Sequence, residues 1–229
     1  MAPKVLVVLT SFAKIEAMDN KPTGWYLTEL AHPYDVLKDK VEFIFASPQG
    51  GVAPLDPASV EMFKDDASGQ AFLANNKSLW ENTEKLSSLA GRAAEFDAIF
   101  FPGGHGPVFD LATDPDSIAL LADFYAAGKP IAAVCHGTAV LANVKGKDGE
   151  YIVKGKEVTG FSNAEEDIVG YTPYMPFMLE TILEEHGAKF VKADAPFGAK
   201  VTVSGNFITG QNPASAHGVG EELLKALKL

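Results

Sequence analysis

Four short apolar runs of similar length constrain most strongly what this chain can fold into. They cover residues 4–9, 41–46, 98–101 and 131–134. A continuous run of four to eight apolar residues is typical of a strand that is buried on both faces of a parallel sheet. Segments with helical spacing separate the runs, such as residues 25–37 and residues 115–127, where Ile118, Leu121 and Tyr125 recur on one face. This alternation predicts an α/β fold, a doubly wound and mostly parallel sheet with helices on both faces.

The stretch from residue 50 to residue 94 interrupts the alternation. It is rich in Pro, Asp, Asn and Ser and holds only short apolar patches, so we expect an inserted surface excursion. Later, residues 201–204 and 207–209 flank Gly205-Asn206, a two-residue turn that predicts a β-hairpin. A chain of 229 residues can bury one substantial core. We therefore interpret residues 1–229 as a single α/β domain with an insertion around residues 50–94.

The charge balance argues against two classes of partner. The chain has 19 basic and 30 acidic side chains, and its formal net charge of -11 repels phosphate backbones and anionic membrane surfaces. We therefore expect neither a nucleic-acid partner nor a membrane partner. The single cysteine cannot form an internal disulfide, and a free thiol is most easily kept reduced in the cytosol. This favours a cytoplasmic protein.

The one cysteine of the chain, Cys135, directly follows the last apolar run. Gly137 and a small-residue stretch from Thr138 come after it, a pattern that is typical of a strand-turn-helix elbow. An elbow places a nucleophile where open α/β folds bind ligands, and we expect the helix N-terminus to lower the thiol pKa from its usual value of about 8.5. The alternative is a buried cysteine that acts only as a small apolar side chain. The adjoining His136-Gly137 favours the nucleophile.

Nucleophilic catalysis by a thiol also needs a base and a group that orients the base. His136 is next to Cys135, and two successive side chains at a sharp turn can both border one pocket. We therefore favour His136 as the base. For three other histidines a structural role is the simpler interpretation: His32, His186 and His217.

A glycine-rich turn follows the third apolar run, in the sequence FFPGGHGPVFDL. Glycine lets backbone N–H groups come close to a ligand. Such donors, together with the backbone N–H of His136, could form an oxyanion hole for a carbonyl oxygen, although ordinary tight turns use the same residues. His105, in the same turn, is a candidate substrate contact.

Acidic residues complete the set of candidates. Glu29 lies in the helix-like segment after the first strand, from where it could exchange protons with the thiol or with a substrate. Its alternative role is that of an ordinary exposed helix residue. Glu165, Glu166 and Asp167 follow a predicted strand at residues 157–159, and one of them could orient His136. Spacing alone does not choose among the three.

Five segments of the chain resemble the ThiJ/PfpI superfamily: TGWYLTELAHPYDVL, FPGGHGPVFDL, AAVCHGTAVL, VTGFSNAEED and TGQNPASA. The resemblance spans nearly the whole chain and is closest to the branch that contains glutathione-independent glyoxalases (glyoxalase III) and related heat-shock chaperones. It implies a flavodoxin-like sheet, a triad of Cys135, His136 and Glu166, and Glu29 as the acid beside the thiol. It also implies oxyanion donors at Gly104 and His136, and commonly a homodimer.

The activity that this resemblance implies is conversion of methylglyoxal to lactate without a metal, glutathione or another cofactor. Cys135 would bind the small 2-oxoaldehyde covalently as a hemithioacetal. Three alternatives stay open. One is a cysteine amidase or peptidase, because the same residue types serve acyl transfer. Another is a stress-response holding chaperone with an exposed apolar patch and an oxidation-sensitive thiol. The third is a protein deglycase.

Overall fold

A seven-stranded sheet forms the centre of the computed structural model, which describes residues 2–229. The strands along the chain are β1 (Lys4–Val8), β2 (Lys14–Ile15), β3 (Lys21–Pro22), β4 (Glu42–Ser47), β5 (Glu84–Lys85), β6 (Ala98–Phe101), β7 (Ile131–Val134), β8 (Glu157–Val158), β9 (Lys189–Phe190), β10 (Val201–Ser204) and β11 (Phe207–Gly210). The main sheet has the order β10-β11-β7-β6-β1-β4-β5, while β2-β3 and β8-β9 are separate pairs. All neighbours in the main sheet are parallel except β10 and β11. The predicted mostly parallel sheet is confirmed.

The four apolar runs of the sequence correspond to β1, β4, β6 and β7. Every residue of β6 and β7 is buried, as are residues 5–8 of β1. Successive side chains of a strand point to opposite faces of the sheet, so continuous burial requires cover on both faces. The predicted hairpin is also present, because β10 and β11 pair around Gly205-Asn206 with Ser204 opposite Phe207.

Helices provide that cover. They are α1 (Leu27–Leu37), α2 (Pro57–Met62), α3 (Ala67–Asn75), α4 (Lys77–Glu81), α5 (Gly106–Phe109), α6 (Pro115–Ala126), α7 (Asn163–Val169), α8 (Leu179–Glu185) and α9 (Ala216–Ala226). α1 packs against α9 and α3, whereas α6 packs against a 3-10 helix at Cys135–Leu141. The predicted doubly wound arrangement is thereby confirmed. Among residues 2–229, no helix combines the length and the apolar character that crossing a bilayer requires.

Residues 50–94 contain more regular structure than their composition indicates. They include α2, α3 and α4, and β5 extends the sheet beside β4. Asp56 caps α2 by accepting a hydrogen bond from the Ala58 N–H, and Asp66 caps α3 through the Gly69 N–H. Several of the polar residues that break the apolar pattern are therefore helix caps.

Candidate active site

The candidate residues meet at the carboxyl ends of β6 and β7. These strands are adjacent and parallel, so the turns that follow them lie at one edge of the sheet. The turn after β6 carries Gly104 and His105, and Cys135 and His136 follow β7 directly. Glu29 comes from the first turn of α1, and Glu166 comes from the first turn of α7. The structure thus brings all six predicted site residues together.

Cys135 occupies a sharp turn between β7 and the 3-10 helix. Its φ is +56°, in the left-handed region, where a residue with a Cβ atom is strained by roughly 1–2 kcal/mol. The residue is only 4% exposed, yet it lines a cavity of the protein. The elbow predicted from the sequence is present, with the thiol facing a pocket from a strained backbone.

The expectation that this elbow lowers the thiol pKa is wrong. Burial raises the pKa of Cys135 well above its usual value, and the adjacent Glu29 raises it further. A hydrogen bond from the His136 backbone N–H to the sulfur acts in the opposite direction but is the weaker influence. The helix that follows is a 3-10 helix of 7 residues, and Cys135 is its first residue. The thiol therefore stays protonated until a neighbouring group removes its proton.

His136 lies between the thiol and a carboxylate. Its Nδ1 atom is 3.5 Å from Cys135 Sγ, and its Nε2 atom is 2.5 Å from Glu166 Oε2. The ring is buried against Phe161, with ring centroids 4.5 Å apart. One nitrogen thus faces the thiol while the other is held by an acid, which is the arrangement that a general base requires.

Glu166 contacts two imidazole rings. Its Oε1 atom is 2.9 Å from Nε2 of His105, and its Oε2 atom is the one that contacts His136. Burial alone would raise the pKa of this carboxyl group, but the charge of His136 and hydrogen bonds from both histidines hold it well below its usual range. Glu166 therefore remains ionised, and it can stabilise a protonated His136.

The two neighbouring acids face elsewhere. Glu165 forms a capping box with Ser162 at the start of α7, in which the Glu165 carboxylate accepts the Ser162 N–H and the Ser162 hydroxyl accepts the Glu165 N–H. Asp167 is exposed and bonds to the hydroxyl of Thr172. The helical turn of α7 thus directs only Glu166 toward His136.

Glu29 is fully buried beside the thiol. Its Oε2 atom accepts a hydrogen bond of 2.8 Å from the Gly103 N–H. A Cβ atom on Gly103 would lie 2.5 Å from Glu29 Oε2 and 2.9 Å from Cys135 Cβ. The backbone can therefore run between these two side chains only if this residue is glycine. Burial raises the pKa of Glu29 to about 8. The carboxyl group is therefore mostly protonated at neutral pH and can act as a proton donor.

Gly104 lines the cavity next to these groups. Its φ is +90°, and a Cβ atom there would lie 2.2 Å from the backbone oxygen of Gly24. Glycine is therefore required for the turn after β6 to approach the segment that leads into α1. The turn brings the backbone of Gly104 and that of His136 to the same cavity, as an oxyanion site would need.

A sequence profile of the DJ-1/PfpI family matches residues 27–226, which include all six predicted site residues. The chain belongs to the DJ-1/PfpI family. The resemblance seen in the sequence motifs is thereby confirmed.

Three relatives match nearly the whole length of this chain. A relative from Saccharomyces cerevisiae, named glutathione-independent glyoxalase HSP31, is 30% identical over 100% of both chains. The crystal structure of glyoxalase III from Candida albicans is 31% identical, covers 98% of this chain and 97% of its own, and has a TM-score of 0.88. The X-ray structure of Rapid Encystment Protein 24 kDa from Francisella tularensis is 39% identical, covers 98% of this chain and 99% of its own, and has a TM-score of 0.92.

In this DJ-1/PfpI protein the thiol opens into a cavity of about 510 Å³. His105 forms part of its wall by stacking on Tyr171, with ring centroids 4.2 Å apart, and Lys21 Nζ lies 4.5 Å from the centroid of the Tyr171 ring. Burial, and then the charge of His136, lower the pKa of His105 to about 4. His105 is therefore neutral at physiological pH, and it lines the cavity as a substrate contact would.

Sequence reasoning missed most of the outer wall of this cavity. The missed residues are Lys21, Tyr26, Asp56, Ala58, Met62, Phe63, Phe161, Val169, Tyr171, Phe197, Asn212, Pro213 and Ala214. Tyr26 and Phe161 lie inside segments that resemble the family, and that position could have indicated them. Met62 and Phe63 come from the irregular 50–94 stretch, where no periodic pattern marks them.

The remaining histidines lie outside the site. His32 Nε2 is 3.1 Å from Asp66 Oδ2, which connects α1 to α3. His186 Nδ1 is 2.6 Å from the Ala142 backbone oxygen, and His217 lies beside Glu221 on α9. Their contacts are those of structural or surface residues.

The described residues include one trio with metal-ligand chemistry, formed by His105, His136 and Glu166. Their ligand atoms lie within 4.8 Å of one another. Both imidazole Nε2 atoms already bond to the carboxylate. A metal ion there would have to displace these hydrogen bonds and would remove His136 from its partner.

Proposed function

We propose that this protein is a glutathione-independent glyoxalase that converts methylglyoxal to lactate without a metal or another cofactor. The observation that carries the proposal is a buried thiol with a proton acceptor on one side, His136, and a protonated carboxyl group on the other, Glu29. An isomerisation that moves hydrogen between neighbouring carbons through an enediolate needs such a pair. The names of the relatives from Saccharomyces cerevisiae and Candida albicans support the same activity.

The proposed reaction begins with transfer of the thiol proton to Nδ1 of His136. The thiolate adds to the aldehyde carbon of methylglyoxal, and His136 returns the proton to the resulting alkoxide, which gives a neutral hemithioacetal. Glu166 stabilises His136 while it is charged. The backbone N–H groups of Gly104 and His136 hold the substrate oxygens, and His105 contacts the substrate beside them.

The hydrogen then moves from one carbon to the next. Neutral His136 removes the proton from C1, which leaves an enediolate. Protonated Glu29 supplies a proton to C2, and the hydroxyl proton on the C1 oxygen passes to the C2 oxygen. The product is a thioester in which C1 has been oxidised and C2 reduced. Water cleaves the thioester to lactate and free Cys135, with one proton released to solvent. A proton passes from His136 back to Glu29, so the enzyme is restored and no external oxidant or reductant is consumed.

Incubating the purified protein with methylglyoxal, without glutathione and in the presence of a chelator, tests the proposal. We expect lactate in an amount equal to the methylglyoxal consumed. Heat-denatured protein provides the control for nonenzymatic loss. Consumption of methylglyoxal without lactate would instead indicate simple modification of the protein.

The route of the hydrogen can be tested in heavy water. Because Glu29 borders a cavity that opens to solvent, its proton should exchange before delivery, and the lactate should carry deuterium on C2. Mass and proton spectra of the product measure this. Lactate incubated alone with the protein controls for later exchange. A C2 position that keeps hydrogen throughout would favour a direct hydride shift over the enediolate.

The two adjacent glutamates should respond differently to substitution by glutamine. Glu166→Gln keeps an acceptor for His136 but removes the negative charge that stabilises the imidazolium, so we expect kcat to fall about 100-fold. Glu165→Gln should leave kcat within about threefold, because Glu165 contacts none of the reacting groups. Steady-state kinetics of both variants measure the difference. The reverse order would show that Glu165 orients the base.

A holding chaperone is a second candidate function, favoured by apolar side chains at the cavity mouth. Met62, Val169 and Phe197 line the cavity and are 70%, 40% and 43% exposed, and the neighbouring Ile168 is 61% exposed. Suppression of aggregation of a heated client protein would reveal this activity. It should survive Cys135→Ala, since it does not use the thiol.

We also propose that the chain acts as one domain over residues 1–229, with residues 50–94 as an insertion, and that it works in the cytoplasm as a homodimer. The acidic net charge of -11 supports the absence of nucleic-acid and membrane partners.

Sedimentation analysis of the purified chain tests the homodimer. A single species with the mass of one chain, at all concentrations, would contradict it.

A further inference from the structure

Phe197 has a strained backbone at the mouth of the cavity. Its φ is +62°, in the left-handed region that residues with a Cβ atom rarely adopt. Its side chain is 43% exposed and also lines the cavity that holds Cys135. A side chain that is both exposed and part of the cavity wall lies at the opening. Because glycine would adopt this φ without strain, the position of the ring points to a function.

The carboxylate of Glu165, which has no exposed surface, holds this backbone in place. Its Oε1 atom accepts hydrogen bonds from the Phe197 N–H at 2.8 Å and from Asn212 Nδ2 at 2.9 Å. Its Oε2 atom accepts from the N–H and the hydroxyl of Ser162, at 2.9 and 2.7 Å. Asn212 Nδ2 also donates to the backbone oxygen of Gly198, the residue after Phe197. One carboxylate thus ties three chain segments together.

The Phe197 ring is connected to the reacting groups through one other ring. The centroids of Phe197 and Phe161 are 6.2 Å apart, and those of Phe161 and His136 are 4.5 Å apart. Phe197 is therefore the outermost member of an aromatic row that ends on the proposed base. A molecule that enters the cavity on this side has to pass its ring.

We propose that Phe197 is a specificity-determining residue that limits the size of molecules reaching the Cys135 thiol, and that Glu165 is the positioning residue that holds it. Where it concerns 2-oxoaldehydes, this inference rests on the proposed function. Cavities of about 300–1,000 Å³ hold drug-sized ligands, so an interior of about 510 Å³ does not by itself exclude aldehydes larger than methylglyoxal. The opening, where the Phe197 ring lies, is what excludes the larger aldehydes.

The test uses the single cysteine of the chain as a reporter. The alkylation rate of Cys135 is measured by mass spectrometry with iodoacetamide and with N-naphthyl iodoacetamide. Both reagents use the same chemistry, so the thiolate fraction cancels in the ratio of the two rates. We expect Phe197→Gly to raise the ratio of bulky to small reagent about tenfold. Its melting temperature should be unchanged or higher, because glycine relieves the strain at this φ.

Glu165→Gln should raise the same ratio through Phe197. Glutamine replaces one carboxylate oxygen with an NH₂ group, which cannot accept a hydrogen bond, so at least one of the four hydrogen bonds to Glu165 is lost. The Phe197 ring then becomes free to move. The double variant Glu165→Gln with Phe197→Gly should have the ratio of Phe197→Gly alone. Tyr174→Ala is the matched control, since Tyr174 is 38% exposed but does not line the cavity.

Two results would overturn the proposal. A ratio for Phe197→Gly within twofold of the unmodified protein would show that the ring does not limit access. Independent, multiplicative effects of the two substitutions would show that Glu165 acts through another segment. Alkylation requires no turnover, so a protein that fails to form lactate can still pass this test. If lactate does form, KM for phenylglyoxal should fall relative to KM for methylglyoxal in Phe197→Gly, with little change in kcat.

Discussion

Replacing Cys135 with alanine is expected to reduce methylglyoxal turnover by about 10⁴- to 10⁶-fold, to the rate without enzyme. The thiol forms the only covalent bond to the substrate in the proposed reaction, and the chain has no second cysteine to replace it. Lactate formation in a long incubation measures the loss. The side chain is small and adjoins the open cavity, so the variant should fold.

Thermal unfolding of Cys135→Ala separates chemistry from folding. Alanine keeps a Cβ atom at the same left-handed φ, so the backbone strain is unchanged and the melting temperature should stay close to that of the unmodified protein. Lactate formation by a well-folded alanine variant would rule out the hemithioacetal. Aldehyde chemistry at another residue would then have to be sought.

Glu29→Gln is expected to lower kcat about 1,000-fold while leaving the fold intact. Glutamine can still accept the Gly103 N–H, but it cannot supply a proton to C2.

The protonated form of Glu29 is the active one, and burial sets its pKa at about 8. The kcat/KM of the unmodified enzyme should therefore fall as the pH rises through about 8, where the free enzyme loses this proton.

The stability of the unmodified protein should fall with rising pH, as its activity does, and Glu29→Gln should remove part of this dependence. The pKa of Glu29 is raised from 4.5 to about 8, so the folded protein binds more protons than the unfolded chain between these values. The unmodified protein therefore loses stability across this range as the pH rises, and the glutamine variant should lose less. Melting temperatures at pH 5 and pH 8 measure this. Glu221→Gln is the control, since Glu221 is an exposed residue of α9. A variant that melts earlier but turns over normally would assign Glu29 a structural role.

Much of the fold could be predicted because the central strands are covered on both faces. β1, β6 and β7 need apolar residues at nearly every position, and such runs are visible without any tertiary information. The elbow at Cys135 could be predicted for a related reason, since an apolar run followed by a cysteine and a nearby glycine is typical of a strand that ends in a sharp turn. The 50–94 stretch was harder, because short helices with aspartate caps have the composition of loops.

Two properties of the site could not be predicted from sequence patterns. The thiol pKa depends on burial and on Glu29, which is 106 positions away in the chain. Glu29 comes close only when the start of α1 meets the turn after β6. The cavity mouth is built by Met62 of α2 and by Phe197 in a loop, which share no spacing or motif. Both depend on how separate segments meet in space, which a local pattern does not record.

The left-handed backbone of Cys135 also bears on how this position can change through mutation. At φ +56° glycine would be unstrained, and relief of roughly 1–2 kcal/mol would about offset the packing lost with the small side chain. Replacing this cysteine with glycine therefore changes the stability of the fold little, and only the need for a thiol keeps the cysteine at this position. In a lineage that no longer uses the reaction, this residue should be among the first to drift. A relative with glycine here would have lost the chemistry while keeping the architecture.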